Sequence, residues 1–264
     1  MGSPGDHGVH VTFRRVDWRA SSYGDEWAGE YDVFTAWRFG PEAAATAAGR
    51  LAELAGEGPA LELGIGTGRV ALPLAERGIE VHGIDASEAM VARLREKPGS
   101  EAIAVSIGDF ADVDVAAPGP FSLIFVVFNT LFALLTQDDQ VRCFANVAGR
   151  LRPGGVFVVE AFVPDLGLFD HGKHVSVQRI EVASVHLDVS RHDAATQRVS
   201  AQHIVLRPDE VRLRPIELRY AWPSELDLMA RLAGLRLRER WGGWEKEPFG
   251  AGSAGHVSVY ERTA

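Results

Sequence analysis

The chain has 264 residues, of which 46% are hydrophobic and 24% charged, and these fractions suit a globular protein with a sizeable core. The formal net charge of −9 and the lack of a Lys/Arg-rich run argue against nucleic acid as a partner, because acidic surfaces repel phosphate backbones. The longest apolar run, residues 121–128, is strand-sized and far shorter than the roughly 18 residues of a membrane span. Cys143 is the only cysteine, which excludes an internal disulfide, and residues 1–10 lack a signal-peptide pattern, so we expect a soluble cytoplasmic protein.

The first predicted elements are helical. The segment Ser21–Leu54 has helical character that is broken at Phe39-Gly40-Pro41, whose proline suits the first turn of a new helix. The Ala-rich stretch Glu42–Glu53 consists largely of strong helix formers. The sequence therefore predicts an N-terminal helical segment, residues 1–58, ahead of the main domain.

From Pro59 onward, apolar strand-length segments alternate with amphipathic helix-length segments. This alternation predicts βαβ units and a parallel sheet. The predicted strands are Ala60–Leu63, Glu80–Ile84, Ala102–Ile107, Ser122–Val127 and Val156–Phe162. The predicted helices are Arg69–Arg77, Ser87–Glu96 and Asp138–Leu151, the last followed by a turn at Arg152-Pro153-Gly154-Gly155.

The pattern changes between residues 174 and 222, where apolar residues alternate with polar ones and helix signals are few. Such period-2 stretches predict an antiparallel sheet, with turns at Asp193-Ala194-Ala195 and Pro208-Asp209-Glu210. A helix and two more strands follow; they are Ser224–Ala233, Leu235–Trp241 and Val257–Tyr260.

The predicted fold class is α/β, with a Rossmann-like seven-stranded, mostly parallel sheet, helices on both faces and the last strand reversed. An antiparallel β cap is inserted before the last helix. The expected divisions are the N-terminal helical segment 1–58, a cofactor-binding core 59–169, the cap 170–222 and a completion of the core sheet 223–264. Ligands of open α/β sheets bind at the carboxyl ends of the strands, so we expect the site there.

The segment Glu62–Gly68 lies directly after an apolar strand and directly before a helix. Its glycines, at positions 64, 66 and 68, allow a sharp turn and a close approach of backbone to a ligand, and the helix start offers free N–H groups. Asp85 ends the next strand, 17 residues after Gly68, where a carboxylate can accept two hydrogen bonds from a ribose diol.

Two cofactors compete for this arrangement. Dinucleotides favour Gly-x-Gly-x-x-Gly, whereas here Arg69 occupies the position of the third glycine. Glu62 would also repel a pyrophosphate. S-adenosylmethionine has no phosphate, and its ammonium and sulfonium groups tolerate a neighbouring carboxylate.

In this combination the chain resembles class I S-adenosylmethionine-dependent methyltransferases of the small-molecule, natural-product type, from about Tyr23 to the C-terminus. The marks of the resemblance, in order, are Glu62–Gly68, Gly83–Ser87, Gly108–Phe110, Phe128–Leu131 and Leu151–Gly155. The antiparallel stretch is similar to the substrate-side cap of methyltransferases that act on small natural products, including sugar N-methyltransferases. Each mark is weak alone, and their order and spacing make the set specific.

The resemblance implies S-adenosylmethionine as cofactor, with S-adenosylhomocysteine as product. The implied cofactor-binding residues are Tyr23, Tyr31, Glu62, Gly64, Gly66, Gly68, Asp85, Ala86, Met90, Asp109, Phe110, Phe128 and Asn129. Gly64 and Gly66 would line the methionine end, and Asp85 would hold the ribose hydroxyls.

The remaining residues of the set are assigned by the same resemblance. Ala86 and Met90 would lie near the adenine or its ribose. Asp109 would accept the adenine amino group, with Phe110 against the ring. The sulfonium and the transferred methyl group would face Phe128 and Asn129, and the N-terminal tyrosines Tyr23 and Tyr31 would close over the cofactor.

Purely structural interpretations stay open for some of these residues. Asp85 could cap the following helix, Asp109 could serve a turn, and the apolar members could belong to the core. The pair Asp138 and Asp139 fits a helix start capped by Thr136 better than a magnesium site. The histidines show no zinc spacing, so no metal is expected.

The candidates for a general base are His171 and His174, which are nearest in sequence to the end of the fifth strand. The expected reaction is an in-line transfer of a methyl group to N or O of a small-molecule metabolite in natural-product biosynthesis. The alternatives are an NAD(P)-dependent oxidoreductase and a non-catalytic homologue that binds S-adenosylmethionine. Neither a membrane nor nucleic acid is expected as a partner, and a homodimer is one option for the assembly.

Overall fold

The computed structural model describes residues 18–36, 40–116 and 119–263, so residues 1–10 and Phe39 of the predicted helix break lie outside the described part. The helices are α1 Ser22–Trp27, α2 Tyr31–Ala36, α3 Pro41–Ala55, α4 Ala71–Ala75, α5 Glu88–Arg95, α6 Gln137–Arg150 and α7 Pro223–Leu232. The strands are β1 Ala60–Leu63, β2 Val81–Asp85, β3 Ala104–Ile107, β4 Phe121–Val126, β5 Leu151–Phe162, β6 Lys173–Ile180, β7 Val185–Asp193, β8 Arg198–Arg207, β9 Glu210–Arg219, β10 Leu235–Trp241 and β11 Gly255–Arg262. None of the described helices combines the length and apolarity that crossing a bilayer requires.

Seven strands form one sheet in the order β10-β11-β5-β4-β1-β2-β3. All neighbours are parallel except β11, which runs antiparallel to both β10 and β5. Every residue of β1 and β4 is buried, as expected for strands covered by helices on both faces. The predicted fold class, including the reversed last strand, is confirmed.

The core consists of two apolar layers, one on each face of this sheet. Along β4, Ile124 and Val126 belong to the layer that contains Phe144 of α6. The residue between them, Phe125, belongs to the opposite layer, together with Leu51 of α3. This alternation follows from the two-residue period of a strand, so the two faces of β4 pack against different helices.

The cap is a four-stranded antiparallel sheet in the order β6-β7-β8-β9, as the period-2 pattern predicted. Its turns lie at residues 194–197 and 208–209, close to the predicted positions. Because side chains alternate along each strand, one face of the cap is turned toward α1 and α2, where Ile216 packs beside Trp27.

Two local predictions differ from the structure. The N-terminal segment is interrupted a first time at residues 28–30, where Gly29, a poor helix former, separates α1 from α2. The predicted turn at residues 152–155 instead belongs to β5 as an irregularity: Leu151 pairs with Phe121, and the next pair is Val156 with Leu123. A Cβ on Gly155 would lie 2.9–3.2 Å from three carbonyl oxygens, so the tight backbone packing requires a glycine.

Candidate active site

A cavity of about 220 Å³ lies at the carboxyl edge of the parallel strands, beneath α1 and α2. It is lined by nine of the thirteen predicted cofactor residues, namely Tyr23, Tyr31, Gly64, Gly66, Asp85, Ala86, Met90, Asp109 and Phe110. The wall also includes residues that the sequence analysis did not select, among them Trp18, Arg19, Thr130, Leu134 and Asp139. Only the fold brings these separate segments to one site.

A second chamber of about 20 Å³ adjoins the cavity and shares Tyr31, Gly64, Gly66 and Thr130 with it. Its own lining includes Glu62, Arg69 and Phe128. A space of this size accommodates a group about as large as one water molecule. Gly68 and Asn129, the last two predicted cofactor residues, line neither space.

The glycine loop after β1 depends on left-handed backbone. Gly64 has φ 69° and Gly66 has φ 54°, values that side chains other than glycine rarely adopt. A Cβ on Gly64 would lie 2.5 Å from Thr130 Cγ2, so this glycine keeps the loop close to the end of β4. A Cβ on Gly68 would lie 2.2 Å from Leu94 Cδ1, which shows that Gly68 permits helix packing behind the loop.

Asp85, at the end of β2, connects the glycine loop after β1 to the start of α5. Its Oδ2 accepts a hydrogen bond from the Gly66 N–H at 2.7 Å, and its Oδ1 accepts one from the Ser87 N–H at 2.8 Å. Burial raises the pKa of the Asp85 carboxyl, and the two N–H donors oppose that rise. A carboxylate oxygen has more than one lone pair, so each still has capacity for a ribose hydroxyl.

Glu62 forms an acidic wall of the smaller chamber. The side chain is 3% exposed, and its Oε2 has no hydrogen-bond partner among the described residues. Burial raises the pKa of this carboxyl well above its usual value, although the positive charge of Arg69 acts in the opposite direction. A buried oxygen of this kind is destabilising unless a donor binds it, so the chamber suits a hydrogen-bond-donating ligand group.

The end of β4 is held in an unusual conformation. Phe128 and Asn129 have φ values of 55° and 64°, which is rare for a bulky side chain and is often found at functional sites. The Phe128 N–H donates to Glu160 Oε2 at 3.0 Å, and the Asn129 N–H donates to the Glu160 carbonyl at 3.2 Å. Asn129 Oδ1 accepts from the Phe162 N–H at 2.6 Å, so this side chain holds the backbone in place.

The Phe128 ring lies against the guanidinium of Arg69, whose Cζ is 3.6 Å from the ring centroid. Glu160, which positions Phe128, was missed by the sequence analysis. Its signal was a lone acid near the end of the apolar stretch Val156–Phe162. Burial raises the pKa of the Glu160 carboxyl, and the Phe128 N–H opposes this rise.

Two sets of polar contacts, one made by Asp25 and one by Asp32, hold the N-terminal helices over the cavity; we call them latches. In the first, Asp25 Oδ1 accepts a hydrogen bond from Ser87 Oγ at 2.7 Å, and Gly24 lies so close that a Cβ would be 2.4 Å from Ser87 Cβ. In the second, Asp32 accepts from Thr67 Oγ1 at 2.6 Å and pairs with Lys97 Nζ at 2.7 Å. The first connects α1 to the start of α5, and the second connects α2 to the glycine loop and to the segment just after α5.

Tyr23 and Tyr31 line the cavity from these helices, with ring centroids 6.3 Å apart in an edge-on arrangement. Burial raises the pKa of both phenols, so both remain protonated at neutral pH. They can therefore donate hydrogen bonds into the cavity.

Asp109, which was predicted to contact the adenine, lines the cavity and also stabilises a turn. Asp109 Oδ1 accepts from the Ala111 N–H at 2.8 Å, so the side chain supports its own turn while it lines the cavity.

Thr136 caps α6 by accepting from the Asp139 N–H, as predicted, and Asp139 pairs with Arg142 at 2.7 Å. Within residues 18–36, 40–116 and 119–263, no group of His, Cys, Asp or Glu side chains could hold a metal ion.

The two histidines proposed as bases lie on the cap side of the molecule. His171 is 93% exposed at its side chain and pairs with Asp170 at 2.6 Å. His174, on β6, has its ring 6.0 Å from that of Phe169. Neither lines the cavity or the smaller chamber.

Together these features fit S-adenosylmethionine. A left-handed glycine loop leaves room for a ligand beside the backbone, a hydrogen-bonded carboxylate suits a ribose, and a buried acidic oxygen suits an ammonium group.

Comparisons with known proteins agree with this fit. A family model described as a methyltransferase domain matches residues 60–155. The solved structure of the CcbJ methyltransferase from Streptomyces caelestis is 42% identical with a TM-score of 0.86, and the match spans 94% of this chain and 100% of that one. The cypemycin N-terminal methyltransferase from a Streptomyces species is 28% identical over 206 residues, 76% of this chain and 82% of that protein.

A further structure shares the fold at lower identity. It is that of SAM-bound CalS10, an amino pentose methyltransferase from Micromonospora echinaspora, with 24% identity, a TM-score of 0.64 and coverage of 84% of this chain and 91% of that one. The chain belongs to the class I S-adenosylmethionine-dependent methyltransferases, and it is an enzyme of that family with S-adenosylmethionine as its cofactor.

Proposed function

We propose that the enzyme methylates a nitrogen atom of a small-molecule metabolite of the natural-product class. The observation that carries the proposal is that α1 and α2 cover one side of the strand-end cavity, and that these helices are themselves held by the cap. A concave cavity of about 220 Å³ favours a small acceptor over a protein chain or RNA.

Support for a nitrogen acceptor comes from the relatives. One is described as an N-terminal methyltransferase of cypemycin. Another, from Saccharopolyspora spinosa, is described as a dTDP-amino-sugar N,N-dimethyltransferase and is 28% identical over 157 residues, 58% of this chain and 60% of that protein. Transfer to oxygen is the second candidate, since the phenols of Tyr23 and Tyr31 could orient a hydroxyl group.

The cofactor-binding roles are part of the same proposal. Asp85 holds the ribose hydroxyls, and the loop backbone at Gly64 and Gly66 lies against the methionine end. Glu62 accepts hydrogen bonds from the ammonium group in the smaller chamber. When bound, S-adenosylmethionine supplies a methyl group on a positively charged sulfur, which is an activated leaving group.

The chain itself contributes alignment and exclusion of water. Tyr23, Tyr31 and Phe128 enclose the space in which donor and acceptor meet. Fixing two reactants in line contributes about 7–11 kcal/mol to lowering a barrier, so positioning can account for much of the rate. An amine needs only to be neutral when it attacks, so this chemistry does not require a strong base.

The roles of the four segments of the chain are also part of the proposal. Residues 1–58 close the site, 59–169 bind the cofactor, 170–222 cover the acceptor and 223–264 complete the sheet. His171 and His174 remain candidates for a base only if the cap moves toward the acceptor.

A cytoplasmic location is part of the proposal, because the chain has a single cysteine and so forms no internal disulfide.

The first experiment is a calorimetric titration of the protein with S-adenosylhomocysteine. Asp85→Ala should weaken binding by at least about tenfold, because a charged hydrogen bond contributes about 1.5–3 kcal/mol. Asp112→Ala, which removes an exposed carboxylate paired with Arg142, is the matched control and should bind like the wild type. Absence of binding to the wild-type protein would refute the cofactor site.

The acceptor is tested by a methyl-transfer assay on pairs of small molecules that differ only in an amine or a hydroxyl at one position. Formation of S-adenosylhomocysteine with the amines alone supports the proposal. Turnover with the hydroxyl compounds alone would replace nitrogen by oxygen. Binding without turnover on any pair would favour the non-catalytic alternative.

A further inference from the structure

The smaller chamber contains a cation as well as an acid. Arg69, which directly follows the glycine loop, lines the chamber together with Glu62, Tyr31 and Phe128. Its Cζ lies 3.6 Å from the ring centroid of Phe128 and 5.6 Å from that of Tyr31. Its Nη2 also donates a hydrogen bond to the Tyr31 phenol oxygen at 3.4 Å. The guanidinium is therefore held in place beside two aromatic rings.

Solvent screens the charge of Arg69 only weakly, because its Nε and Nη1 atoms are buried. The positive charge acts to lower the pKa of the Glu62 and Glu160 carboxyls and of the Tyr31 phenol, against the rise that burial causes. These three groups surround the chamber on different elements, so the charge acts throughout this end of the site. A second cation placed here would be repelled by Arg69.

The position of the cofactor sulfur follows from the roles proposed above, on which this inference rests. The ribose lies at Asp85 in the main cavity, and the ammonium group lies at Glu62 in the smaller chamber. In the cofactor, sulfur is bonded to the ribosyl carbon and is separated from the amino nitrogen by a chain of three carbon atoms. It therefore lies where the two spaces meet. Tyr31, which accepts the hydrogen bond from Arg69, lines both spaces at that junction.

Cofactor and product differ at sulfur alone. S-adenosylmethionine carries a methyl group and a positive charge there, whereas S-adenosylhomocysteine carries neither. When the lone pair of an acceptor amine forms the new N–C bond, the C–S electron pair stays on sulfur and neutralises it. The positive charge passes to the acceptor nitrogen, which then releases a proton to solvent. A fixed cation near the sulfur therefore favours the state in which the sulfur is neutral.

We propose that Arg69 determines how the enzyme discriminates between cofactor and product, because it repels the positively charged sulfur of the cofactor and not the neutral sulfur of the product. Glu62 and Asp85 attract a cation, and Arg69 offsets part of that attraction. The repulsion is present before methyl transfer and is relieved as the charge leaves sulfur. Arg69 thus limits how tightly the charged ligand is bound in the ground state.

The test is a calorimetric titration of the full chain with S-adenosylmethionine and S-adenosylhomocysteine. Arg69→Met removes the charge and keeps an unbranched side chain. The affinity for S-adenosylmethionine relative to S-adenosylhomocysteine should rise about three- to tenfold, the range expected when one charge is removed from a partly buried site. The two ligands share every other group, so any contact of Arg69 with the rest of the ligand cancels in this ratio.

Three further measurements separate charge from shape. Arg69→Lys keeps the charge and should leave the ratio near that of the wild type. Arg236→Met makes the same chemical change at a 61% exposed side chain on β10 and is the matched control, with an unchanged ratio. Sinefungin, in which a carbon bearing a protonated amine replaces the methylated sulfur, is a second cationic ligand. Its affinity relative to S-adenosylhomocysteine should rise in Arg69→Met as that of S-adenosylmethionine does.

Several results would overturn the proposal. In one, both affinities fall together in Arg69→Met, which would mean that Arg69 contacts groups common to the two ligands. In another, Arg69→Lys changes the ratio as much as Arg69→Met, which would assign the effect to shape. If Arg69→Met fails to fold, Arg69→Gln, which keeps a donor for the Tyr31 phenol oxygen, makes the same comparison. A wild-type protein that binds neither ligand would instead refute the cofactor site itself, so the two failures are distinguishable.

Discussion

Asp85 Oδ2 accepts a hydrogen bond from the backbone N–H of Gly66 at 2.7 Å, so the end of β2 is joined directly to the glycine loop after β1. The same carboxylate accepts a second N–H bond, from Ser87 at the start of α5. One side chain thus positions two backbone segments of the cofactor site. Its charge and its two acceptor oxygens are both needed for that arrangement.

Asp85→Asn is expected to impair both stability and cofactor binding. The amide has only one acceptor oxygen, so its NH₂ group must face one of the two backbone donors, at a cost of about 1–3 kcal/mol. Thermal unfolding with and without S-adenosylhomocysteine measures both effects. A variant with unchanged unfolding temperature and unchanged affinity would show that Asp85 has neither role.

Glu62→Gln is expected to stabilise the free enzyme at neutral pH while it weakens binding of S-adenosylhomocysteine. Burial raises the folded-state pKa of Glu62, so the folded protein binds this proton more tightly than the unfolded chain. The destabilisation is therefore present above the folded-state pKa and disappears as the pH falls through it toward the unfolded value. Unfolding temperatures measured across this pH range should vary less for the variant, and an equal or steeper pH dependence would contradict the interpretation.

Gly64→Ala is expected to destabilise the loop by more than about 1 kcal/mol and to reduce cofactor binding. The new Cβ would lie 2.5 Å from Thr130 Cγ2, and the backbone φ of 69° is strained for alanine. Adding Thr130→Ser removes the methyl group and should recover part of the loss in denaturant unfolding. Gly49→Ala, in α3 with no atom within 4 Å of its Cβ, is the control and should stabilise by about 0.5–1 kcal/mol.

Asp32→Ala is expected to weaken closure of the N-terminal helices rather than the fold as a whole. Partial burial acts to raise the pKa of Asp32, but the hydrogen bonds from Lys97 and Thr67 hold it below its usual value. Exposed ion pairs contribute about 0.2–1 kcal/mol, so the global stability should change little. Affinity for S-adenosylhomocysteine should fall a few-fold, with faster dissociation in stopped-flow fluorescence. An unchanged dissociation rate would mean that this latch does not hold the site closed.

Cys143 is expected to be unreactive in the folded enzyme. The thiol is buried on α6, and burial raises its pKa, so the reactive thiolate is scarce at neutral pH. A disulfide reagent should therefore label it only at the rate of unfolding, and a rate that rises with denaturant is the expected readout. Rapid labelling of the native protein would show that the α6 side of the core opens readily.

The sequence alone determined the features that depend on short-range periodicity. Buried parallel strands appear as apolar runs, such as Ala60–Leu63, and the cap strands appear as period-2 stretches. The glycine loop and Asp85 were recognisable for the same reason, since their spacing is set within one strand–helix–strand unit. Thr136 was identified as a helix cap, and its hydroxyl accepts the expected backbone hydrogen bond.

Only the tertiary structure decided which distant residues meet. Glu160 holds the Phe128 backbone from another strand, and Asp25 accepts from Ser87, 62 positions later. Neither pairing leaves a periodic signal, because each depends on how separate elements pack. The cap sheet gives a further example: Val177 and Leu213 are 57% and 58% exposed, because packing against α1 and α2 covers the other face of the sheet.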